Sequence, residues 1–423
     1  MAREAIRVSF QRLLVASAVG LYALQAYHTM QAAVDVPYRD EWQVIDPRIA
    51  QSYPDRSWLL TPHNEHIIAT TKLLVWILYQ LDGWDLRVHL LINILLFGAL
   101  AALAIGIAYR AAPSDRVWLP MLLGLPLFST LNWENHLWAF QTQFHLFLLF
   151  ALGAAATLFT QRATKGRVVF GGLLLAAATL SFSAGFAAAG VLVGCYLVYS
   201  LRLRPTLQGL SNALIVLAAC SPAMFAYQHL FAAGGSDSAL ILPHQTAFWH
   251  FFLNLVALGF GVETYSLTVG VLSGFLVSVS LLLLVAERRD ESWAAIAGLV
   301  VILAGLASVA VGRAAQPDQA IWSKGSRYYE IAVLLLPFIG AGIAVWRHRA
   351  AAMLMTLTVG LTLVGHLNNW EFSVYRWTTE QKMQARACLL EKPAEECTML
   401  WGVGTAAEIE RAKQLRISLW RIP

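Results

Sequence analysis

Residues 35–87 read DVPYRDEWQVIDPRIAQSYPDRSWLLTPHNEHIIATTKLLVWILYQLDGWDLR, and the way this stretch meets a membrane decides how the rest of the chain is threaded. The part before Ile67 crowds Asp40, Glu41, Asp46, His63, Glu65 and His66 among Trp, Tyr and Pro. The rest holds the apolar run Ile67–Leu81, interrupted by Lys72 and closed by Asp82-Gly83-Trp84-Asp85. A crossing helix needs about 20 apolar residues, and this run is shorter. It reads instead as an amphipathic helix lying on the membrane surface.

Outside this interval the chain is built of apolar runs of membrane length. Of 423 residues, 58% are hydrophobic and 13% are charged, and the mean hydropathy is +0.59. Soluble domains carry about a quarter charged residues, so the deficit defines a polytopic membrane protein. The fold class is therefore all-α: backbone groups in lipid must satisfy one another, and no alternating strand pattern points to a barrel. The net charge of +5 does not indicate nucleic acid, because the Lys and Arg residues sit in short loops between apolar runs.

Those loops set the orientation. Basic residues cluster at the amino terminus and at Arg110/Arg116, Arg162/Lys165/Arg167, Arg202/Arg204, Arg288/Arg289 and Arg347/Arg349. All become cytoplasmic if the first run, Leu13–Met30, crosses uncleaved and Ile67–Leu81 does not. Roughly eleven spans result. They are Leu13–Met30, Val88–Tyr109, Val117–Leu131, Leu137–Thr160, Val168–Leu180, Ala184–Leu201, Leu207–Phe231, Ser266–Ala286, Trp293–Val311, Tyr328–Trp346 and Ala351–His366. Residues 1–367 form a membrane-embedded domain whose first extracytoplasmic loop is 33–87, and 368–423 form a short extracytoplasmic tail. Ala247–Gly261 reads as a second surface helix. In that compartment Cys388 and Cys397 suit a local disulfide, while Cys195 and Cys220 lie in apolar segments.

This threading gathers the unusual residues at the outer face: Asp40/Glu41, Asn64-Glu65-His66, Asn132-Trp133-Glu134-Asn135-His136 and Lys324-Gly325-Ser326-Arg327-Tyr328-Tyr329-Glu330. The inner loops are short, and no Gly-rich phosphate loop occurs anywhere. Chemistry is expected outside, on a substrate delivered through the membrane.

The layout resembles the C-type superfamily of membrane glycosyltransferases, which use polyprenyl-phosphate-linked sugars. The likeness covers the first third of the chain. An acidic residue follows the first helix in Tyr38-Arg39-Asp40-Glu41-Trp42, and a His-containing segment, Thr61-Pro62-His63-Asn64-Glu65-His66-Ile67, opens the surface helix where the family often has His-Pro-Pro. Asp82-Gly83-Trp84-Asp85-Leu86-Arg87 then leads into the second span, and Gly325-Ser326-Arg327-Tyr328 resembles the family's Arg-Tyr element. The chain lacks the large soluble carboxy-terminal domain found in part of that family.

The resemblance implies transfer of a sugar from a polyprenyl phosphate to a lipid or glycan acceptor, in a bacterial inner (plasma) membrane. It puts the catalytic carboxylate at Asp40, with Glu41 the weaker candidate because neighbouring side chains in an extended loop point apart. A loop Asp also pairs with its neighbour, here Arg39, or caps a turn. Arg327 is the favoured phosphate holder, its planar fork matching a pair of phosphate oxygens, with Lys324 three residues earlier. The competing reading pairs these cations with Glu330. His66 either orients the phosphate or acceptor or caps the surface helix. Glu134, His136 and Tyr328 are candidates for sugar contact, although Trp133 and Trp138 beside the first two also read as interface anchors. No spaced carboxylate set marks a divalent metal, and no cofactor is expected.

Two other classes share features with this plan. An O-antigen ligase or polymerase would lean on Arg and His in a long late loop, whereas the dense acidic cluster here is early. A transporter would carry ionisable residues at mid-membrane and paired broken helices.

Overall fold

The computed structural model describes residues 2–64, 66–160, 164–203, 206–234, 240–287, 289–315 and 326–421. Among these the secondary structure is helical throughout, apart from one isolated bridge between His63 and His66. Among the described residues, eight helices are long and apolar enough to cross a membrane, which makes this a multi-pass helical membrane protein.

The buried axis of the bundle is Arg327–Val345, whose most apolar window is wholly enclosed by protein. Two glycines let neighbours approach it closely. A Cβ on Gly340 would lie 2.8 Å from Pro120 Cα, and one on Gly342 would lie 2.5 Å from the Ser280 carbonyl oxygen. Asp290–Arg313 and Ala139–Leu158 are the next most enclosed, and the outer helices leave most of their surface free.

Three stretches expected to cross lie outside the set of eight. Ala2–Gln31 forms a helix of 30 residues. Lys165–Thr179 reaches only 15 residues. Residues 117–131 break into Trp118–Leu122, Leu125–Phe128 and Thr130–Asn132. Pro126 and Gly124 stand at the break, where proline removes a backbone donor and crowds the preceding turn.

The short run after the first loop becomes the helix Ala69–Asp82, ended by Gly83 at φ +69°. Lys72 on this helix is 4% exposed and donates to the carbonyls of Trp58 (2.8 Å) and Thr61 (2.7 Å). Burial pushes its ammonium down to about 8. The lysine that makes the run a poor span thus ties the helix to the loop beneath it.

The tail does not stand apart. Its helices Ser373–Glu391 and Ala406–Gln414 fold back on the first loop, and the two share a core that includes Tyr38, Trp42, Ile49, Trp84, Leu389 and Ile409. Cys388 and Cys397 are disulfide-bonded. At the far end, Arg421 Nη2 bonds Asp35 Oδ2 (2.6 Å) and Asp85 Oδ2 (2.8 Å), and Ser418 Oγ donates to Asp35 (2.8 Å). Burial alone would raise the Asp85 carboxyl. Hydrogen bonds from Arg87 and Arg421 more than offset this and hold it at about 2.

Removing Arg421 strips Asp35, 10% exposed, of its cation. Arg421→Ala is expected to destabilise the detergent-solubilised protein by about 2 kcal/mol, below the 3–5 typical of a fully buried pair. The measurements are melting temperature and the rate at which added protease cleaves the tail. If both match wild type, the tail is held without this contact.

Candidate active site

The segment Tyr38–Trp42 makes a tight turn at Arg39, which adopts φ +52°. A non-glycine residue there is strained, and such strain concentrates at functional sites. The turn is held from the tail: Arg39 N–H and Trp42 Nε1–H both donate to the Gly402 carbonyl, at 2.8 and 3.1 Å. Gly402 itself sits at φ +79°, and a Cβ on it would lie 2.4 Å from the Tyr38 ring.

The turn sends the two adjacent carboxylates in different directions. Glu41 is 1% exposed and accepts from Tyr38 N–H (2.8 Å) and Phe140 N–H (3.2 Å). Burial pushes it up to about 7 against the pull of Lys382. That lysine is itself buried, donates to the Leu137 carbonyl, and is pushed down by burial. Glu41 is therefore a structural staple. Asp40 keeps a side chain 31% exposed and makes no capping bond to the short helix it precedes. Its Oδ2 lies 3.8 Å from His63 Nε2, too long for a hydrogen bond.

His63 and His66 exchange backbone bonds of 2.8 and 2.9 Å across a turn in which Asn64 has φ +49°. The turn buries the His63 ring to 6% exposure against Phe140 and leaves its Nε2 without a hydrogen-bond partner. The His66 ring packs against Phe182 instead.

Glu134 joins this loop to the buried axis helix. Its Oε1 accepts from Arg39 Nη1 and its Oε2 from Arg327 N–H, both at 3.1 Å. A carboxylate at a helix amino terminus is favoured by the helix dipole. Arg39 is thereby committed to Glu134 rather than to Asp40, and its guanidinium stacks over Trp401 (4.4 Å), Tyr38 (5.3 Å) and Trp138 (5.4 Å).

Arg327 is likewise not spent on Glu330. Glu330 is fully buried, with Oε1 2.6 Å from His145 Nδ1 and Oε2 accepting from Asn135 (3.0 Å) and Asn132 (3.3 Å). The Arg327 guanidinium lies over the Tyr328 ring and bonds the Tyr328 side chain, feels the charges of Glu134 and Asp40, and keeps a buried Nε without a partner. Buried polar atoms are normally satisfied, so the unpartnered His63 Nε2 and Arg327 Nε each mark a place for water or ligand.

Asp40, Glu134, Arg327 and Tyr328 thus fall in one neighbourhood, with Glu41 beneath it. His136 is set back in the polar brace, between Asn132 (3.2 Å) and the Tyr375 hydroxyl (3.2 Å), and burial holds it neutral. Lys324 lies outside the described residues. The structure adds Arg39, His63 and Trp401. Only His63, inside the His-Asn-Glu-His run, stands out in the sequence, because Trp401 arrives from the tail. Among the described residues, no three His, Cys, Asp or Glu side chains converge closely enough to hold a metal ion.

No protein-family model and no curated protein matches the chain. The chemistry of the site follows from its own groups: a solvent-reaching carboxylate beside a buried imidazole, within electrostatic reach of an arginine whose Nε has no partner.

Glu41 sets a pH signature. Between about 4.5 and about 7 the folded chain holds the Glu41 proton that the unfolded chain has released. Stability must therefore fall as pH rises through that window. Glu41→Gln is expected to lower stability overall and to flatten this slope. Melting curves across the window check it, and an unchanged slope would assign the pH dependence elsewhere.

Proposed function

We propose that the protein is an integral membrane glycosyltransferase that moves a sugar from a polyprenyl-phosphate donor to a lipid- or glycan-linked acceptor at the extracytoplasmic face. The observation that carries this reading is the approach of Asp40 to Arg327, far apart in sequence, with Arg39 paired to Glu134 rather than Asp40 and Glu330 to His145 rather than Arg327.

Asp40 Oδ2 accepts the proton of the acceptor hydroxyl, whose oxygen attacks the anomeric carbon as the bond from that carbon to the phosphate oxygen breaks. The transition state has oxocarbenium character, as in glycoside cleavage generally. The phosphate leaves as an anion, so it needs a cation more than an acid, and the unpartnered Nε–H of Arg327 offers one. His63, its Nε2 3.8 Å from Asp40, lines the inner side of the carboxylate, and the exposed side of Asp40 releases the proton to solvent.

In this reading roughly eleven segments cross, the eight apolar helices being joined by Ala2–Gln31, Trp118–Phe128 and Lys165–Thr179. Ala69–Asp82 and Thr246–Leu258 lie on the outer surface. The setting is the bacterial inner membrane with the amino terminus inside. The Cys388–Cys397 disulfide fits an oxidising compartment around the tail.

Membranes with and without the protein, incubated with a panel of radiolabelled polyprenyl-phosphate sugars and then extracted, should yield one product that depends on the protein. If every donor leaves the two extracts identical, the reading is lost. Asp40→Asn should cut transfer by about 10²–10⁴-fold at normal protein yield, the span of a positioned general base. Arg327→Ala should raise the donor KM and lower turnover, and normal values for both would remove it from the phosphate.

A further inference from the structure

The opposite end of the bundle carries a second concave site. The helix Leu86–Ala111 starts beside the outer loop, where Asp85 meets Arg421, and runs 26 residues, close to 40 Å at about 1.5 Å per residue. Just past its far end lies a cavity of about 370 Å³ whose rim carries Arg116, Arg347, His348 and Arg349.

The cations come from two separate connections that are stitched together. Arg116 Nη1 donates to the Trp346 carbonyl (2.7 Å), closing the turn after Arg327–Val345 onto the turn that precedes Trp118. Arg347 is 3.6 Å from Asp115, an exposed pair that contributes little. No acidic residue lines the cavity itself, so its three guanidiniums face it with only the exposed Asp115 beside Arg347, outside the lining, to offset them. Loop arginines that only set orientation need no concave arrangement.

The wall beneath the rim is apolar, with Trp118 and Met355 among its residues. It continues onto the helix Ala350–Asn368, where Met353 is 74% and Leu357 39% exposed. A cationic rim above an apolar wall that opens along a bare helix face matches a phosphate carrying an acyl chain.

We propose that this cavity binds a phosphate group, as presented by an anionic phospholipid headgroup. The guanidiniums of Arg347 and Arg349 hold the phosphate oxygens, and Arg116 fixes the turn that brings them together. This site is independent of the outer-face chemistry and stands whether or not sugar transfer occurs there.

The test uses purified full-length protein in neutral detergent. The probes are phosphatidylglycerol, phosphatidylcholine and sodium phosphate at matched ionic strength, read by melting temperature and by lipid retention in native mass spectrometry. Phosphatidylglycerol should raise the melting temperature and stay bound, and phosphatidylcholine should do neither. Arg347→Ala/Arg349→Ala should weaken phosphatidylglycerol binding at least tenfold while its melting temperature without lipid stays near wild type. Lys165→Ala/Arg167→Ala, which removes two cations from a loop outside the cavity, should leave binding unchanged. A shift by sodium phosphate equal to that by the lipid, and lost in the arginine double variant, keeps the site but assigns it to the free anion. Equal retention of both lipids, equal loss in the two double variants, or full binding after loss of Arg347 and Arg349 each overturns the proposal.

Discussion

Glu134 is the contact on which the candidate site depends. One oxygen takes Arg39 from the first loop and the other takes the backbone of Arg327 at the start of the buried helix, partners 95 and 193 residues away. Its side chain is 11% exposed, and a carboxylate so enclosed is costly unless both oxygens are bonded. The pairing has a chemical consequence. By engaging Arg39, Glu134 leaves Asp40 without the neighbour that would otherwise neutralise it.

A second layer of polar groups supports this contact from below. Asn135 bonds the Arg327 carbonyl, Asn132 and Glu330, and Glu330 bonds His145. The brace is held by these protein partners, with Asn135 Oδ1 and His145 Nε2 its buried atoms left without one. Because Glu330 is satisfied there, the Arg327 guanidinium stays available although the two lie three residues apart on one helix. Partner choice within this brace therefore governs the charge state of the site more than sequence proximity does.

The tail completes the arrangement from the other side. Gly402 receives the Arg39 and Trp42 donors, Trp401 covers the Arg39 guanidinium, and Lys382 sits under Glu41. The left-handed backbone at Arg39 persists because these contacts over-determine it. The carboxy-terminal segment thus becomes part of the wall around Asp40.

The sequence by itself determined the class: apolar runs, a charge deficit and basic loops dictate a helical multi-pass protein, because hydropathy accumulates locally along a window. It also singled out Asp40, Glu134 and Arg327, and the divergence of Asp40 from Glu41 follows from the geometry of adjacent residues. Only tertiary structure decided who pairs with whom. Arg39 goes to Glu134 and Glu330 to His145, although the sequence offers Asp40 and Arg327 as nearer partners. It also decided that the tail returns to the first loop and that 117–131 breaks at Gly124 and Pro126. The physical reason is the same in each case: ion pairs and buried hydrogen bonds are settled by which groups the packed helices bring within a few ångströms, and spacing along the chain only proposes candidates.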